Sequence, residues 1–229
     1  MAEPRERPSP NHDARARAVD MLVLHYTGMA SAAAALDRLC DPAAKVSAHY
    51  LVEEDGTVWR LVAESRRAWH AGQSFWRGIA DVNSASIGIE LVNPGHELGY
   101  RGFPEAQMAA LEELARGILA RHAIPARNVV GHSDVAPARK QDPGELFDWP
   151  RLARGGIGLW PARDPAAPEE GEATRLLAAI GYSLADAGAA IAAFQRHFRP
   201  PQCDGALDAA TRARIAAVAG LCGGAPAMI

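Results

Sequence analysis

Three residues able to bind a transition metal end or follow short apolar segments of this chain. His25 closes the run Met21-Leu22-Val23-Leu24-His25, and His132 closes Asn128-Val129-Val130-Gly131-His132. Asp142 follows in Lys140-Gln141-Asp142-Pro143-Gly144, a loop stiffened by Pro and Gly. A strand end is rigid while the next loop is free to vary, so sites are built there. Two imidazoles and one carboxylate make a three-ligand zinc site with an open fourth position, the catalytic arrangement. No short HExxH-type signature accompanies them, so spacing alone leaves ordinary hydrogen-bonded histidines open.

Two further groups could act beside such a metal. Glu90 lies in Ile87-Gly88-Ile89-Glu90-Leu91, an acid inside an apolar strand. It is either an outward-facing charge or a carboxylate held as a general base. Lys140 is either a solvated cation or, two residues from Asp142, an ammonium that meets a developing oxyanion.

The elements that must position these groups are legible. Residues 21–25, 86–92 and 128–132 are apolar enough for buried strands. His49 to Leu61 reads as a hairpin around Asp55-Gly56. Ser31 to Leu39 is Ala-rich and helical. In Pro104 to His122, Met108, Leu111, Ala115, Ile118, Leu119 and His122 recur at helical spacing. Strands mixed with amphipathic helices predict an α/β fold with a central mixed sheet flanked by helices. Residues 1–19 are polar and Pro/Arg-rich, an extended arm, and the first domain runs to residue 160. Residues 161–168 are a Pro-rich linker. Helical stretches at 169–180, 185–198 and 208–221 make a small three-helix C-terminal domain over 169–229. Its apolar positions Leu177, Ile180, Ile191, Phe194, Phe198, Ile215 and Val218 are expected to form one small core that docks on the larger domain.

The 229 residues carry 24 Lys and Arg against 27 Asp and Glu, a net charge of −3. That balance leaves no electrostatic footprint for nucleic acid. No run is long and apolar enough for a transmembrane segment. Cys40, Cys203 and Cys222 rule out a disulfide scaffold. With a charged, Pro-rich start they suggest a reduced, cytoplasmic protein, or a periplasmic one if a signal has been removed.

From about Ser9 to Leu152 the chain resembles the zinc-dependent N-acetylmuramoyl-L-alanine amidases of the type-2 amidase family, the AmpD/AmiD group related to peptidoglycan-recognition proteins. The likeness rests on SPNHDAR (9–15), LVLHYTG (22–28), SAHYLVEEDGTVWRLV (47–62), AWHAG (68–72), SIGIELVN (86–93), VVGHSDVAPARKQDPG (129–144) and FDWPRL (147–152). It implies zinc on His25, His132 and Asp142, a catalytic carboxylate at Glu90 and a catalytic lysine at Lys140. Some related phage amidases carry a catalytic Tyr just before the His of the SAHY-like block; Ala48 stands there, which leaves the base role to Glu90. The resemblance makes His70 cleft wall rather than ligand, and Trp69, Trp76 and Asn83, in the loop before the Glu90 strand, are expected to join it in that wall.

The expected reaction is hydrolysis of the amide between N-acetylmuramic acid, or its 1,6-anhydro form, and L-alanine. Muropeptides or peptidoglycan are the partners, in wall recycling or turnover, and the chain is expected to act as a monomer. The tail resembles a peptidoglycan-binding module that follows the catalytic domain in part of the family. If the protein is cytoplasmic, that tail serves as packing, and its removal alters turnover on soluble fragments only modestly. A catalytically silent recognition module and a zinc peptidase acting within the stem peptide remain as alternatives. The presence of all three ligands with Glu90 and Lys140 favours an amidase.

Overall fold

The structure is a computed structural model that describes residues 3–200 and 202–223. The first two residues of the expected arm, residue 201 and the last six residues of the expected tail lie outside the described residues. The elements in chain order are β1 (Arg5–Glu6), β2 (His12–Ala14), β3 (Met21–Tyr26), α1 (Ala32–Cys40), β4 (Tyr50–Val52), β5 (Val58–Arg60), β6 (Arg66–Ala68), α2 (Val82–Ala85), β7 (Ser86–Leu91), α3 (Gly95–Leu98), α4 (Glu105–Arg121), β8 (Val129–Gly131), α5 (His132–Val135), α6 (Trp149–Arg154), α7 (Glu170–Ile180), α8 (Ala187–Phe198) and α9 (Ala209–Gly223).

Six strands form one mixed sheet in the order β1-β5-β4-β7-β3-β8. The β4, β7, β3 and β8 strands run parallel, and β5 pairs antiparallel with β4 as the expected hairpin. β3 is buried along most of its length, as a central parallel strand covered on both faces must be. Register decides what each face carries. Leu22, Leu24, Ile87, Ile89 and Leu91 face Met108, Leu111, Leu114, Ala115 and Ile118 of α4. Burying each such side chain contributes about 1.5–3 kcal/mol. The alternate residues Met21 and Val23 face the other way, into a cluster shared with Trp76, Val82 and the tail residues Leu177, Ile180, Phe194 and Ile215. Leu51 of β4 on that same side packs with Ala35, Leu36 and Leu39 of α1.

Among the described residues the seven apolar positions of the tail fall in one cluster and dock on the larger domain as expected, and the cluster is continuous with that domain through Met21, Val23, Val130 and Val135. A short helical unit buries too little by itself, and the sheet face offers the missing partner. One expectation needs correction: no strand ends at His132. β8 stops at Gly131, and His132 opens the single turn α5.

The arm is extended, as expected, and it is built into the fold. β1 pairs with β5 and β2 with β6. Buried Asn11 donates from Nδ2 to the carbonyls of Asp41 and Val46. Arg15 donates to the carbonyls of Glu64, Asn83 and Ser84. Among the described residues no helix is long and apolar enough to cross a membrane.

Candidate active site

Three adjacent parallel strands end at one edge of the sheet, where open α/β sheets bind ligands. His25 on β3 pairs in register with Glu90 on β7, so both side chains leave the same face. Gly131 pairs with Leu24, which brings the next residue, His132, to the level of His25. The loop after α5 returns Asp142 to the same point.

The three candidate ligand atoms form a tight triangle. His25 Nδ1 lies 2.9 Å from His132 Nδ1 and 3.1 Å from Asp142 Oδ2, and His132 Nδ1 lies 3.0 Å from that oxygen. All three residues are buried.

Hydrogen bonding on the far sides of the rings assigns the protons. The Ser86 hydroxyl has one hydrogen and gives it to Val82 O at 2.6 Å. It therefore accepts from His70 Nε2 at 3.1 Å. Neutral His70 then accepts at Nδ1 from His25 Nε2 at 3.0 Å. That leaves a lone pair on His25 Nδ1. His132 Nε2 donates to Ala71 O at 3.1 Å, which leaves a lone pair on its Nδ1 as well. Burial and the neighbouring His132 push His25 down to about 4, so its ring is neutral near pH 7.

Three acceptors thus converge with no proton between them, an arrangement that a cation resolves. Bonds of 2.0–2.1 Å about a tetrahedral ion give ligand–ligand edges of about 3.3 Å, close to the triangle seen here. The donor set and the hydrogen-bonded far sides fit a metal ligated through neutral imidazoles.

The triangle opens on a cleft of ≈ 390 Å³ lined by Tyr26, Arg38, Trp69, His70, Glu90 and Lys140 among others. Glu90 reaches its wall with Oε2 buried and without a hydrogen-bond partner among the described residues. Burial first, and Asp142 second, raise its carboxyl well above the usual range; Lys140 opposes them. Trp69 is fixed by its Nε1 donating to Asp13 at 2.7 Å.

Trp76 and Asn83 are corrections. Trp76 is 2% exposed and packs edge-on against Tyr182 of the tail, 5.0 Å between ring centroids. Asn83 is buried with its Oδ1 accepting from the backbone N–H groups of His70 and Ala71. Trp76 therefore serves the seam with the tail. Asn83 holds the loop that carries His70, and neither lines the cleft.

Sequence reasoning missed Tyr26, Arg38, Ser86 and Gly88. Gly88 carried a usable signal, since a glycine inside a strand of bulky residues marks a close approach. A Cβ there would sit 2.5 Å from His70 Cγ. Gly88→Ala is expected to cost about 1–3 kcal/mol by overpacking. It should also weaken metal binding about 10–100-fold, the effect of disturbing a group that orients a ligand. Thermal unfolding and chelator competition measure the two losses. Wild-type values in both would show that His70 does not orient His25.

The fold and site define an α/β protein with a metal-competent centre at the carboxyl ends of parallel strands. Residues 15–145 match the family described as N-acetylmuramoyl-L-alanine amidase, and the chain belongs to that family. It is 40% identical to the N-acetylmuramoyl-L-alanine amidase AmiD of Escherichia coli, over 85% of this chain and 80% of the relative. The structure of E. coli AmiD with the substrate anhydro-N-acetylmuramic acid-L-Ala-D-γ-Glu-L-Lys superposes with a TM-score of 0.81 at 39% identity, covering 92% of this chain and 93% of that one. AMPDH3 from Pseudomonas aeruginosa, in complex with anhydromuramic pentapeptide, superposes with a TM-score of 0.80 at 34% identity, covering 92% and 94%. This chain is an amidase of the AmpD/AmiD group.

Proposed function

We propose that the protein hydrolyses the amide between N-acetylmuramic acid, in free or 1,6-anhydro form, and the L-alanine of a stem peptide, with zinc held by His25, His132 and Asp142. The observation that carries this reading is the convergence of three lone pairs beside a buried, unpartnered Glu90 oxygen. Bound there, zinc would supply Lewis acidity to the reaction. Glu90 takes the proton of the attacking water and returns it to the leaving amine. A carboxylate whose proton affinity is raised above the ordinary range takes and returns a proton more readily than an exposed one. Lys140, in the cleft wall, stabilises the oxyanion that develops on the carbonyl, a contribution typically of about 2.7–4 kcal/mol. His70 and Trp69 wall the cleft beside the scissile bond. The substrates named for the AmiD and AMPDH3 complexes support this substrate class.

Mass spectrometry of a digest of anhydro-muropeptide tests the reading. The expected products are the free anhydro-muramic acid sugar and an intact peptide beginning with L-Ala. A cut inside the stem peptide would instead make the protein a peptidase, and no cut in the presence of zinc would make it a recognition module. A parallel digest of intact sacculi compares soluble with polymeric substrate.

A further inference from the structure

Asp134 stands two residues after His132, and the proposed chemistry gives it no task. Its side chain is fully buried. The carboxylate accepts three hydrogen bonds: from Gly131 N at 2.7 Å, from the Tyr182 hydroxyl at 2.6 Å and from His197 Nδ1 at 2.7 Å. A buried carboxylate is tolerated only when its lone pairs are met. One donor belongs to the turn that contains His132. The other two come from the tail. The same turn also holds the third ligand, because Ser133 N donates to the Asp142 carbonyl at 2.9 Å.

The seat around this carboxylate is specific. Arg77, from the loop before α2, donates to the carbonyls of Ala179 and Ile180 at the end of α7, and its backbone N–H to that of Gly181. Those are carbonyls a helix C-terminus leaves open. Gly181 has φ +148° and no room for a side chain, since a Cβ would lie 2.8 Å from Trp76 Cε2. The His197 ring is stacked between Trp149 of α6 and Phe198, 3.7 and 3.8 Å between centroids.

We propose that Tyr182 and His197 are positioning residues of the metal site. Through Asp134 the seated tail sets the turn that carries His132 and tethers Asp142, so the tight-binding form of the site requires the tail. The inference rests on the metal-site reading above. It replaces the expectation that the tail only packs and leaves the chemistry nearly untouched.

The test uses the full chain. Tyr182→Phe removes one donor with little change of shape. His197→Phe keeps a stacking ring and removes the other donor, whereas His197→Asn keeps a donor near the Nδ1 position. Val218→Ala trims the same seam and leaves every donor to Asp134 in place. Zinc affinity is read by competition with a chromophoric chelator. Ligand geometry is read from the visible spectrum of the cobalt-substituted protein, and stability from thermal unfolding. Tyr182→Phe and His197→Phe should weaken zinc about tenfold, the low end for residues that orient ligands, and shift the cobalt bands. His197→Asn should recover most of the affinity. Val218→Ala should lower the melting temperature yet keep both metal readouts at wild type. Wild-type affinity and spectrum in the two Phe variants, or an equal loss in Val218→Ala, would overturn the proposal. A wild-type chain that binds no zinc would overturn the metal-site reading itself, and this inference with it.

Discussion

His132→Ala is expected to strip the protein of its metal and reduce hydrolysis to background. The variant leaves His25 Nδ1 and Asp142 Oδ2, 3.1 Å apart, as the remaining candidate ligand atoms. Catalytic zinc sites hold their ion with three protein ligands. Disturbing a group that only orients a ligand costs about 10–100-fold in affinity, so removing a ligand costs more. The loss is local in origin: His132 contributes its Nδ1 to the triangle and its Nε2–H to the Ala71 carbonyl, and the sheet and α4 core lie elsewhere. Elemental analysis after dialysis should fall from one zinc per chain to background, with circular dichroism close to wild type. Stoichiometric zinc retained by the folded variant would sink the ligand assignment.

Glu90→Gln is expected to keep fold and metal but lose turnover by about 10² or more, the range for removal of a general base. Gln has almost the same shape and cannot take a proton. The same change carries a stability signature of opposite sign. Burial raises the Glu90 carboxyl well above its usual range, so the folded metal-free protein favours the protonated form more than the unfolded chain does. Below the unfolded-state value of about 4.3 both states are protonated and Glu90 costs nothing. As pH rises from there toward the folded value, the unfolded chain gives up its proton first and wild-type stability falls. Gln does not titrate. The metal-free variant should therefore melt near the wild-type temperature at acid pH and above it near neutrality. Wild-type turnover would move the base role to another group of the cleft. An unchanged melting difference across the pH range would show that Glu90 is not held in its protonated form.

Much of the site was legible because its residues sit at places that local pattern marks. His25 and Glu90 end or interrupt apolar strands, and Pro143 and Gly144 mark the Asp142 loop. The strands themselves follow from continuous apolar runs, and α4 from a 3.6-residue stripe that the structure buries at Met108, Leu111, Ala115 and Ile118. Family resemblance sharpened roles that spacing alone left open. The second layer was not legible. Nothing local in Ser86 or His70 says that they form a chain fixing the proton on His25, since those partners meet only when β3, β7 and the loop after β6 assemble.

The tail shows the division most clearly. Its three helices and their apolar positions are readable from the sequence, because helix formation and amphipathicity are properties of neighbours three and four residues apart. Periodicity tells which side of a helix is apolar but not what will cover it. Trp76 reads as a cleft-wall aromatic until the tail arrives, and Arg77 meets the end of α7 across 103 residues of chain. Asp134 reads as one more charge after His132 until Tyr182 and His197 surround it. The sequence by itself determined the central strands, the long helices and the candidate ligands. The tertiary structure alone decided which lone pairs converge, which aromatics are cleft and which are seam, and that the tail closes on the turn holding His132, because each depends on surfaces that distant segments bury together.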